Sequence, residues 1–226
     1  MQPNIFPPPH ILPGFQPFIT SYFSHCTTLV NNLLHVLSYA LNLPAPGLAP
    51  THASAMFHLR LLHYPEIAAK ELSGGCGKGL KRSRINAHSD FGSLTLLFQD
   101  SIGGLEVQDP SNDRFRPAPP IRDTVLVNIG DLMARWSNGR WASTVHRVGV
   151  PDDVAYTKLG SKEQNGDKGE TIVPSRYSIP FFAVPDADTV IEALDGCWDE
   201  DTRPKIYEPV TAGAYVQMRL AALYNK

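Results

Sequence analysis

Cysteine is scarce in this chain. Cys26, Cys76 and Cys197 are its three, too few and too widely spaced for a disulfide framework or a zinc ribbon. That excludes a stapled miniprotein and favours a reducing, intracellular compartment. Charge is sparse as well, and nearly balanced: Asp, Glu, Lys and Arg make up 19% of 226 residues, and the net charge of −2 gives no general pull toward nucleic acid or an anionic membrane. No run approaches the ~20 apolar residues a membrane span needs. The N-terminus lacks a basic stretch followed by an apolar one, so a cytoplasmic protein is expected. A glycine-rich stretch, Ser73-Gly-Gly-Cys-Gly-Lys-Gly79, lacks the Lys-Ser/Thr step and the following helix of a phosphate-binding P-loop, and is read as a flexible surface loop. What remains is a small-molecule partner for a monomer or homodimer with one core and no internal repeat.

The chain divides into two unequal parts. Residues 1–55 form a proline-rich arm and a helix: six of the 20 prolines fall in residues 1–17, which argues for an extended segment. Over residues 21–43, Phe23, Leu29, Val30, Leu33, Leu34, Leu37, Ala40 and Leu41 recur at threes and fours until Pro44 stops them. His25 and His35 lie on that helix with no ligand-type residue at i+4, so a surface or packing role is assigned to both. Residues 56–226 read as short strands bracketed by Gly and Pro. Residues 56–65 form a strand, and 66–84 a loop with a basic cluster of Lys78, Lys81, Arg82 and Arg84. A strand from Asn86 through Phe98 is expected to pair as a hairpin with 102–108. The prolines of 115–121 make an edge segment, and 123–130 reads as a buried strand. Asn138-Gly139 signals a hairpin into the strand that carries Thr144, His146 and Val148 on one face. The polar composition of 151–174 indicates a mobile insertion or lid. Residues 174–185 put Arg176, Ser178, Pro180 and Phe182 on one strand face, and 211–224 form a closing helix with Thr211 as a candidate N-cap. The pattern is mainly β with flanking helices, a double-stranded β-helix or jelly roll.

The chemistry concentrates at Asn86-Ala-His-Ser-Asp-Phe-Gly-Ser-Leu-Thr-Leu-Leu-Phe98. Spaced by two in an extended strand, His88 and Asp90 point to the same face and can grip one ion. His146, far along the chain on another strand, supplies the third ligand. Two histidines and one carboxylate leave positions open for substrate and oxygen, the arrangement of non-haem Fe(II) oxygenases.

Those residues, with Leu59-Arg-Leu-Leu-His-Tyr-Pro65, Gly103-Gly-Leu-Glu-Val107, Val127-Asn-Ile-Gly-Asp131, Ser143-Thr-Val-His-Arg147 and Arg176-Tyr-Ser-Ile-Pro-Phe-Phe182, resemble the isopenicillin N synthase-like group of 2-oxoglutarate- and Fe(II)-dependent dioxygenases. The resemblance implies that His88, Asp90 and His146 bind iron. It implies that Arg176 and Ser178 hold the distal carboxylate of 2-oxoglutarate, and that Tyr64 contacts the same cosubstrate. Fe(II), 2-oxoglutarate and O2 would then drive hydroxylation, desaturation or cyclisation of a small organic molecule, in keeping with secondary metabolism. Phe91, Phe182, Tyr215 and Met218 are pocket candidates, each equally readable as core packing. Two alternatives stay open: an iron oxidase of the same group that does not use 2-oxoglutarate, and a non-catalytic jelly roll acting as a binding protein. Members of the group usually begin with a longer N-terminal region than precedes the helix here.

Overall fold

A computed structural model describes residues 4–68, 71, 83–150, 157–159 and 170–224. Two antiparallel sheets carry the architecture. The major sheet runs in the order β1 (His58–Leu59), β12 (Arg176–Ala183), β5 (Leu94–Gln99), β8 (Leu126–Ile129), with β2 (Leu62–Tyr64) also paired to β12. The minor sheet runs β4 (Ile85–His88), β9 (His146–Val148), β6 (Leu105–Gln108), β7 (Phe115–Pro117). Two smaller groups complete the described strands: β10 (Thr157–Leu159) and β3 (Ile67–Ala68) flank β11 (Glu170–Val173), and β13 (Val190–Ile191) pairs with β14 (Val210–Thr211).

Alternation along β5 and β12 gives the major sheet two different faces. Leu94, Leu96, Phe181 and Ala183 lie on one face at 0 to 1% exposure, and helix α1 (Phe15–Ala40) covers them with Cys26, Val30 and Leu34. Aromatic contacts fix that packing: the Phe23 and Phe181 rings meet edge to face at 4.9 Å. The register pairs Thr95 with Phe182, Leu97 with Pro180, Gln99 with Ser178, and Arg176 with Tyr64. These residues therefore share the other face, toward the minor sheet.

The jelly-roll expectation holds, and several element readings are corrected. Helix α1 begins at Phe15 and ends at Ala40, so the last residues of the proline segment are helical. Pro17 is tolerated in the first turn because its missing N–H would have no intrahelical partner there. The segment 56–65 is broken into β1 and β2. The expected single strand from Asn86 to Phe98 is two strands in different sheets, and Asp90 lies in the crossing between them. The crossing is held by Ser93 N–H donating to Ala183 O at 2.8 Å and Asp131 N–H donating to Asp90 O at 2.8 Å. Backbone approach is so close that a Cβ at Gly92 would run into the Ala183 carbonyl oxygen. For the same reason β5 and β6 form no hairpin, each joining its own sheet.

β8 is an edge strand, with Val127 42% exposed, instead of a buried one. The Asn138-Gly139 signal also led elsewhere. Asp131–Trp136 is a helix, α2, and Asn138 (φ 49°) and Gly139 (φ 75°) end it, with Gly139 N–H donating to Ala134 O at 2.8 Å. Helix α3 (Ala212–Tyr224) closes the described chain, and Thr211 Oγ1 accepts from Ala214 N–H at 3.3 Å as the expected cap. Part of the 151–174 insertion is regular, since β10 and β11 pair within it. Its residues 151–156 and 160–169, and the glycine-rich loop with Lys78, Lys81 and Arg82, lie outside the described residues. Among the described residues no helix is long and apolar enough to cross a membrane.

Candidate metal centre and cosubstrate pocket

His88 ends β4 and His146 begins β9, directly opposite each other in the minor sheet, with ring centroids 4.4 Å apart. Asp90, two residues on, turns back between them. Its Oδ1 is 4.0 Å from His88 Nε2 and 3.7 Å from His146 Nε2. One ligand atom from each of the three residues falls within 4.8 Å of the others. Asp90 lies past the end of β4, so no single strand carries both His88 and Asp90, and their convergence falls at the sheet crossing.

Neighbouring groups orient each donor. His88 Nδ1 lies 2.8 Å from Asn86 O and His146 Nδ1 3.0 Å from Thr144 O. With Nδ1–H donating to these carbonyls, the tautomer inferred from the network presents both Nε2 lone pairs to the shared space. Burial pushes the His88 pKa below the ordinary imidazole value, with the neighbouring His146 acting in the same direction, which favours the neutral ligand form. Asp90 Oδ2 accepts from Thr95 Oγ1 at 2.7 Å and from Asn128 Nδ2 at 2.8 Å. Two donors on one oxygen leave Oδ1 to face the imidazoles. Two neutral imidazoles and one carboxylate oxygen are a donor set that fits Fe(II) with open positions.

Thr95 and Asn128 were missed from sequence. A polar residue within Val127-Asn-Ile129 and a threonine between leucines at Leu94 and Leu96 were the available signals.

Further along the same sheet face, Arg176 is 1% exposed and Ser178 3%. Arg176 Nη2 donates to Gln99 Oε1 at 3.0 Å, and the Tyr64 ring lies 5.1 Å from the guanidinium carbon. Its Nε and Nη1 are buried without a hydrogen-bond partner among the described residues. Unmet donors on a buried cation are costly, and a bidentate carboxylate would satisfy them. The unmet donors of Arg176 therefore suit a carboxylate.

Residues 56–185 match the family described as the 2OG-Fe(II) oxygenase superfamily. The chain belongs to that superfamily. It is 39% identical, over 98% of its own length and 61% of the relative's, to a 2-oxoglutarate-dependent dioxygenase, frbA, of Dothideomycetidae sp. (strain 11243). It is 34% identical to the proline hydroxylase buaE of Petromyces alliaceus, over 99% of this chain and 65% of that one. Among solved structures, a full-length Neurospora crassa protein in complex with alpha-KG superposes with a TM-score of 0.82 at 36% identity, covering 98% of this chain and 61% of that one. The same protein has been solved with alpha-KG and thymine, with a TM-score of 0.80. The chain thus spans about three fifths of the length of the relatives it matches.

The four pocket candidates of this superfamily member fall in different surroundings. Phe182 is half-buried on the metal-facing side of β12, with the Arg60 guanidinium 5.5 Å from its ring. Phe91 is half-buried beside Asp90, with Arg219 of α3 lying 4.5 Å over its ring. Tyr215 is buried in the core, its hydroxyl donating to Asp131 Oδ2 at 3.0 Å, and Met218 is 56% exposed. Arg219 also pairs with Asp131 and donates to Ser89 Oγ at 3.2 Å, which ties α3 to both neighbours of Asp90.

Proposed function

We propose that this chain uses Fe(II), 2-oxoglutarate and O2 to oxidise a small organic molecule, hydroxylation being the default outcome, in secondary metabolism. One observation carries the reading. The ligand atoms of a His-Asp-His set converge within 4.8 Å, and the sheet face that carries Thr95, the partner of Asp90, also carries a buried Arg176 with two donors unmet among the described residues. The relatives support it, since one is named a proline hydroxylase and another was solved with thymine, both small molecules.

In this reading His88, Asp90 and His146 hold the iron, and Arg176, Ser178 and Tyr64 hold the far carboxylate of 2-oxoglutarate. The bound metal and cosubstrate supply the oxidising power, 2-oxoglutarate being decarboxylated to succinate. The chain supplies placement. Arg176 fixes the cosubstrate by a planar two-bond contact, Thr95 and Asn128 hold Asp90 to a single free oxygen, and the half-buried rings of Phe91 and Phe182 wall the side where substrate enters. Residues 56–226 form the oxygenase domain and 1–55 its arm and helix, in a cytoplasmic monomer or homodimer.

Succinate release from 2-oxoglutarate in the presence of Fe(II) and O2 tests the reading. It is expected from the parent and abolished in His88→Ala, Asp90→Ala and His146→Ala. Parent-level succinate from any of the three variants would overturn the metal assignment.

A further inference from the structure

Arg84 stands four residues before His88, its backbone N–H donating to Val148 O of β9 at 2.7 Å. Its side chain leaves the minor sheet altogether. Nη2 lies within donating distance of three carbonyl oxygens: Pro174 at 2.8 Å, Pro65 at 3.1 Å and Val173 at 3.4 Å. Pro65 directly follows Tyr64, and Pro174 precedes Arg176 by two residues. Because Tyr64 and Arg176 are register partners, the two carbonyls flank one end of the cosubstrate pocket. A single guanidinium from the metal-bearing strand thereby fixes that end.

The charges point the same way. Arg84 Nε, like Arg176 Nε and Nη1, is buried without a partner among the described residues. The pKa of Arg84 is pushed below its ordinary value, first by burial and then by the neighbouring Arg176, while Tyr64 and Asp100 act the other way. An incoming carboxylate would offer acceptors to these unmet donors and offset the repulsion between the two cations.

Resting on the iron and 2-oxoglutarate reading above, we infer that Arg84 is a positioning residue for the distal carboxylate of 2-oxoglutarate. It holds Tyr64 and Arg176 in place relative to the metal strand and adds a second positive charge to that end. The keto-acid end, bound at the metal, lies beyond its reach, so the two ends of the cosubstrate should respond differently to its loss.

The test is an anaerobic titration of the Fe(II)-loaded full chain, followed by visible charge-transfer absorption. One arm uses 2-oxoglutarate and the other pyruvate, which keeps the chelating keto-carboxylate and has no distal carboxylate. Arg84→Met is expected to weaken 2-oxoglutarate binding about tenfold or more, with pyruvate and Fe(II) affinities unchanged. Arg84→Lys should recover part of the loss through its charge. Equal weakening of 2-oxoglutarate and pyruvate, a parallel loss of Fe(II), or no change in any of them would overturn the inference. If Arg84→Met does not fold, Arg84→Lys carries the same comparison, a loss confined to 2-oxoglutarate supporting the role and equal behaviour overturning it. Parent protein that gives no absorption with either ligand would instead bring down the iron and 2-oxoglutarate reading itself.

Discussion

Asp90 shows how few side chains decide the site. Its Oδ2 is occupied by Thr95 and Asn128, so one oxygen remains for the metal. Replacing either donor frees the carboxylate to rotate. Thr95→Val and Asn128→Leu should each lower Fe(II) affinity about ten- to a hundredfold, the usual cost of losing an outer partner of a ligand, and an anaerobic Fe(II) binding isotherm reads the effect. Arg176 acts at the other end. A hydrogen bond to a charged group contributes about 1.5 to 3 kcal/mol, so Arg176→Ala should raise the 2-oxoglutarate requirement roughly ten- to more than a hundredfold while Fe(II) affinity stays constant. Arg176→Lys should restore only part, since an ammonium keeps the charge without the planar fork. An Arg176→Ala protein that saturates at the parent's 2-oxoglutarate concentration would make the 2-oxoglutarate-independent oxidase the better account.

At the scale of elements, the major sheet separates stability from chemistry by strand parity. Phe181 is fully buried against Phe23 and Phe57 on the helix-covered face, while Ser178, Pro180 and Phe182 look toward the metal. Phe181→Ala should therefore cost about 3 to 5 kcal/mol in urea unfolding, yet leave 2-oxoglutarate affinity intact where the protein remains folded. A selective loss of cosubstrate binding at full stability would contradict that division.

The same parity explains what the sequence could and could not reveal. That Arg176 and Ser178 share a face was readable from period-two alternation, whereas a cosubstrate role for the pair rests on the family resemblance. Asp90 was placed correctly in the triad for an incomplete reason. Its position depends on the chain changing sheets at Gly92, and a close approach to the Ala183 carbonyl, 91 residues away in sequence, leaves no local signal. Asn138-Gly139 misled because a pair of positive-φ residues serves a helix end as readily as a hairpin. Arg84 was readable only as one member of a loop's basic cluster, since carbonyl partners at Pro65 and Pro174 are invisible until the sheets are assembled.

For the molecule as a whole, His52 makes acid sensitivity predictable. It is 3% exposed, hydrogen-bonded through Nε2 to Ser93 Oγ at 2.9 Å in the sheet crossing, and burial takes its pKa down to about 4. The unfolded chain, with an ordinary imidazole near 6.5, therefore binds more protons between these values. Stability from this group is complete above pH ~6.5 and is lost as pH falls toward 4, at up to about 1.4 kcal/mol per pH unit. Urea unfolding at pH 7 and pH 5 should show that drop, and His52→Gln should flatten it. A parent whose stability is the same at both pH values would refute the buried neutral imidazole.

In the assembled molecule the sheet crossing gathers the triad, and Arg176 lies on the same face of the major sheet as Thr95, the partner of Asp90, so the two can be read together. Anaerobic addition of 2-oxoglutarate to the Fe(II)-loaded protein should produce a visible absorption band that saturates at one equivalent per chain, and His146→Ala should abolish it. A parent protein that binds Fe(II) but shows no such band at any 2-oxoglutarate concentration would contradict the joint site.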